Sequence, residues 1–81
     1  MTIENEHFQT QDLNLSAVLI VKGFKLENIE KNNEGKATFV YFNSVSLQKI
    51  ISQYWNNELL VNPQDLFNAL KLLKNRIYSN Y

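Results

Sequence analysis

The stretch that most constrains this chain is its last, residues 62–81, NPQDLFNALKLLKNRIYSNY. It combines a helix start signal, sufficient length and an unbroken apolar stripe. Asn62 is a good N-cap, because its side-chain oxygen can accept an otherwise orphaned backbone N–H. Pro63 suits the first helical position, where an N–H would have no partner. Leu66, Leu70, Leu73 and Ile77 recur at steps of four, three and four, a narrow arc of one helix face. The spacing predicts a helix of about four turns. Such a stripe must be buried, and the apolar segments upstream are the expected cover.

Those segments read as follows. Residues 1–7 are polar and acidic with a single isoleucine, and are expected to form a flexible tail ahead of one domain over residues 8–81. A first helix runs from about Gln11 or Asp12 to Lys22, with Thr10 as N-cap and Gly23 as stop. Leu13, Ala17, Ile20 and Val21 share one of its faces, while Leu15, Val18 and Leu19 cover much of the other, so it should be buried on more than one side. Residues 24–31 read as a strand in which Ile29 falls out of phase unless a bulge sits near Glu27 or Asn28. Residues 31–36, KNNEGK, form a hairpin loop, with Asn33 and Gly35 as candidates for positive φ. The second strand, residues 36–42, has apolar groups on both faces.

Ser44 or Ser46 caps a second helix reaching about Asn56, with Leu47, Ile51 and Tyr54 on its buried face. Residues 58–61 are expected to form a short third strand before the final helix. The reading is α+β: a small antiparallel sheet with three helices packed mainly on one face, in the order helix-strand-strand-helix-strand-helix.

Size matters here because 81 residues hold one modest core, and chains of this length often lean on disulfides, metals or association. With no cysteine, the first aid and most structural zinc sites are removed, and association stays open. The beginning, MTIENEHF, carries acids where an export signal would carry basic residues, and no apolar run approaches the roughly 20 residues that cross a bilayer. A cytoplasmic protein without membrane contact is expected. The formal net charge is zero, so no global field draws the chain to nucleic acid. Residues 1–35 nevertheless hold six acids against three lysines, and residues 36–81 five basic groups against two acids.

Chemistry-bearing groups are sparse. His7 is the single histidine, no phosphate-cradling glycine loop can be written around Gly23 and Gly35, and Glu27, Glu30 and Glu34 suit a solvated strand edge better than a metal site. We expect no enzyme activity, no cofactor and no bound metal. The best binding surface is a second stripe on the last helix. Phe67, Lys71, Lys74 and Tyr78 stand at i, i+4, i+7 and i+11, so two aromatics bracket two lysines beside the core stripe. Interleaved aromatic and basic groups can stack bases and neutralise phosphates. The same residues would equally widen the core, with the lysine stems covering its rim. Arg76 points away from this stripe. A second candidate is a sheet face left open by the helices, with Phe39 and Tyr41, or else Val40 and Phe42, available to a partner protein or a second copy. Trp55, expected in the core with Tyr54 at its rim, becomes an interface anchor if uncovered.

Phe8, Thr10, Asp12 and Leu13 at the start, Gly23 and Phe24 at the first turn, and Asn68, Ala69, Leu70, Lys74, Asn75 and Arg76 near the end carry a resemblance to a family of short, uncharacterised bacterial and phage-associated proteins. The resemblance spans residues 8–78 and implies a setting without an activity. Together these features lead to a non-catalytic binding or adaptor module. It would act through protein contacts or self-association at Phe39, Tyr41 and Trp55. Nucleic-acid binding through Phe67, Lys71, Lys74 and Tyr78 is the alternative.

Overall fold

The structure, a computed structural model, describes residues 6–79. Its elements run β1 (His7–Thr10), α1 (Leu13–Val21), β2 (Leu26–Lys31), β3 (Ala37–Phe42), α2 (Val45–Trp55) and α3 (Pro63–Tyr78). Three helices and a three-stranded antiparallel sheet are present, as the α+β reading requires. The third strand, however, comes from the start of the chain. Residues 58–61 form an irregular connection outside the sheet, in which β3 is paired by β1 on one side and β2 on the other. The short HFQT segment carries little apolar signal of its own, and pairing with β3 is what makes it a strand.

β1 and β2 each pair antiparallel with β3, so they run parallel to one another with β3 between them. This is a split β-α-β unit, with α1 as the crossover. The register of β2 against β3 shifts between Leu26 and Asn28, the irregularity that the phase of Ile29 demanded. In the connecting loop Gly35 takes φ +81°, while the side chain of Asn32 accepts from the backbone N–H groups of Glu34 and Lys36. That side chain closes the turn, and Asn33 is not among the positive-φ residues.

Caps define the helices. Asp12 caps α1 by accepting from the Leu15 N–H at 3.1 Å; Thr10 instead ends β1, and its hydroxyl accepts from the Asp12 N–H. Ser44 caps α2 through the Leu47 N–H, and Asn57, at φ 59°, ends it. Asn62 accepts from both Gln64 and Asp65 N–H groups, with Pro63 in the first turn of α3.

α1 is the centre of the molecule. Five consecutive residues, Leu15, Ser16, Ala17, Val18 and Leu19, are all buried, which a helix achieves only when covered on every side. The sheet supplies one cover through Phe39 and Tyr41, and α2 and α3 flank it through Leu47 and Ile51 and through Ala69 and Leu73. Phe39 and Tyr41 therefore sit in the core and present nothing to a partner, which corrects their assignment as interaction residues. They point to the helix face because Phe8, Leu26 and Ile29, their neighbours across the ladder, complete the same apolar layer.

Candidate functional site

Strand alternation places Val40 and Phe42 on the face away from the helices. Val40 is nonetheless buried among its neighbours, whereas Phe42 is exposed and its ring lies 5.8 Å from that of His7 on β1. The open sheet face thus carries one aromatic pair among polar groups, Gln9, Asn28 and Glu30. His7, expected in the tail, is the first residue of β1; residues 1–5 of that tail lie outside the described residues.

The α3 stripe is exposed. At 100° per residue, Phe67, Lys71, Lys74 and Tyr78 fall within an arc of about 60°, centred about 100° from the core stripe of Leu66, Leu70, Leu73 and Ile77. All four side chains are exposed, Phe67 at 62 % and Tyr78 at 80 %. They do not widen the core. On the opposite side of the core stripe, Ala69 and Leu72 share a groove with Ile20 and Val21 of α1. The Phe67–Tyr78 flank is therefore the side of α3 away from α1. The Lys31 ammonium donates to the Ile77 carbonyl, tying the end of β2 to the end of α3. Glu27 and Glu30 are exposed on β2. Arg76 projects about 170° from the centre of the flank and takes no part in it.

Trp55 departs from its expected place. It is 62 % exposed, while Tyr54 is half-buried and meets the indole edge-on at 4.9 Å. Tyr54 wins the buried position because Leu47, Ile51 and Tyr54 continue one helical stripe, and its hydroxyl points toward the Asp12 carboxylate. Burial first, then the nearby Asp12 charge and hydrogen bond, raises the Tyr54 phenol above its ordinary value. Leu60, in the connection to α3, is 89 % exposed, although its carbonyl accepts from the Lys22 ammonium at 3.0 Å. Nothing in the spacing of residues 56–61 signals this exposure, because an apolar residue in a short connection reads equally well as anchored or free.

Two recesses lie beside the sheet. One of about 400 Å³ lies between the hairpin loop, the start of α1 and the end of α3, lined by Gln11, Leu13, Lys36, Ala37, Phe39 and Ile77. Another of about 570 Å³, beside β1, is lined by Glu6, His7, Phe8, Gln9, Asn43 and Gln48. Neither brings a hydroxyl or thiol nucleophile to a base. Among the described residues no group of three or more His, Asp or Glu side chains converges, and no buried side-chain polar atom lacks a hydrogen-bond partner. No described helix is long and apolar enough to cross a membrane.

Comparison with known proteins gives a family without an assigned activity. No curated protein and no solved structure matches the chain. The family model described as a domain of unknown function, DUF5659, matches residues 5–79, nearly the whole length, and the chain therefore belongs to the DUF5659 family.

Proposed function

We propose that this protein is a small, non-catalytic binding module that docks a partner protein on the outer flank of α3, through Phe67 and Tyr78 as apolar anchors and Lys71 and Lys74 as charged rim. The observation that carries this reading is the exposure of all four flank side chains beside a buried to half-buried core stripe on the same helix. Two large aromatics left in water contribute little to folding but suit an interface, where aromatic side chains carry a large share of the binding energy. The lysines fit a partner with acidic groups around an apolar depression. Zero net charge weakens any attraction for a phosphate backbone and favours protein over nucleic acid. The absence of cysteine suits work in the cytoplasm, and the sequence resemblance suggests a bacterial or phage setting.

The test compares wild type with Phe67→Ala/Tyr78→Ala and with Lys71→Glu/Lys74→Glu, all carried on the full chain. The aromatic pair should leave stability within about 0.5 kcal/mol of wild type, as for exposed positions generally. A complex recovered from host cells should survive nuclease, disappear with the aromatic variant and weaken with the charge-reversed one. Binding of mixed short oligonucleotides that falls steeply with salt and vanishes with the charge-reversed variant would transfer the same flank to nucleic acid. A complex indifferent to both variants overturns the assignment.

A further inference from the structure

The two edges of the sheet are treated differently. β2 carries a bulge between Leu26 and Asn28 and the exposed acids Glu27 and Glu30, both of which discourage another strand from adding there. β1, HFQT, is regular through its four residues and carries neither acid nor lysine. The backbone of β1 also has an identifiable free side. The Asn43 N–H donates to the Glu6 carbonyl at 2.8 Å, so in this antiparallel ladder Glu6, Phe8 and Thr10 turn their backbone groups toward β3. His7 and Gln9 turn theirs outward, and among the described residues neither backbone meets a protein partner on that side.

From this we infer that β1 is a pairing edge whose occupant is the β1 strand of a second copy of this chain, added antiparallel about a two-fold axis through Phe8. The inference is independent of the α3 flank. In that register His7 of one copy faces Gln9 of the other. Each pair exchanges two N–H to carbonyl bonds, four in all, which satisfies every outward group of both strands. The register is self-complementary, as an isologous interface must be. On the helix side the two Phe8 rings, half-buried in the monomer, become direct cross-strand neighbours, a favourable aromatic pair. No like charges meet, since the paired positions are neutral or histidine. The product is a six-stranded sheet with β1 strands at its centre and the bulged, acidic β2 edges at its ends. Each copy brings its own α3 flank, so the dimer carries two docking surfaces.

The experiment is solution mass across concentration, with hydrogen exchange on the same samples. Wild type should approach twice its 9.5 kDa mass, and the His7 and Gln9 amides should gain protection as the dimer forms. Gln9→Pro is the discriminating variant. It removes an outward N–H that the β1–β3 ladder does not use, so the fold should persist by circular dichroism while the dimer is lost. If Gln9→Pro disturbs the fold, His7→Lys/Gln9→Lys replaces it, placing like charges opposite one another across the two-fold axis. A wild type that stays monomeric to its solubility limit overturns the inference. So does a dimer that survives a folded edge variant, or one abolished by Phe67→Ala/Tyr78→Ala instead.

Discussion

Ser16 and Tyr41 make a buried polar contact between α1 and the sheet. Tyr41 donates its single hydroxyl proton to the Ser16 carbonyl at 2.9 Å; the 2.6 Å contact between the two hydroxyls must then run from Ser16 to Tyr41. Each hydroxyl is satisfied, so a serine is tolerated at full burial. Tyr41→Phe strands the Ser16 hydroxyl and should cost about 1–3 kcal/mol in urea denaturation. Ser16→Ala leaves the Tyr41 donor satisfied, and should cost about 0.5–1.5 kcal/mol. The double variant should cost less than the sum of the two. Burial raises the Tyr41 phenol above its ordinary value, the Ser16 hydrogen bond opposing this in part, and Tyr54 is raised as well. A raised folded value means that the unfolded chain gives up these protons first. The stability they contribute is complete below about pH 10, the ordinary tyrosine value. It declines as pH rises through the folded values, and Tyr41→Phe should flatten the decline. Denaturation between neutral and strongly alkaline pH measures it.

Among the elements, the helices owe their ends to single side chains. Asn62→Ala should remove two accepted N–H bonds at the start of α3 and cost about 1 kcal/mol. Asn57→Val forces a β-branched residue into the left-handed region that ends α2, at a cost of about 1–2 kcal/mol. Thermal or urea midpoints check both. The sequence made these elements legible where one signal acted locally: the Asn62–Pro63 start, the Ser44 cap and the bulge beside Asn28. It concealed what depends on partners distant in the chain. Residues 7–10 form a strand because they pair along one side of β3, whereas residues 58–61, more strand-like in composition, pair with none of the three strands. Phe39 and Tyr41 were distinguishable from Val40 and Phe42 as a pair, but which pair α1 covers follows from how the crossover seats the helix. The α3 flank shows the reverse case. Spacing alone located Phe67, Lys71, Lys74 and Tyr78 on one face, and only packing decided that nothing covers them.

Across the whole molecule, the helix with the greatest need of shelter is made early and sheltered late. α1 carries apolar residues on every face, with Asn14 alone exposed, and its three covers are β3, α2 and α3, all of which follow it in the chain. During synthesis the segment LNLSAVLIV leaves the ribosome more than forty residues ahead of Ala69 and Leu73. For that interval it is a sticky nascent segment with no native partner on one side. A chain terminated before Pro63 should accordingly be recovered in the insoluble fraction, whereas the chain through Ser79 stays in solution. Docking of α3 is thus the step that closes the last open side of α1.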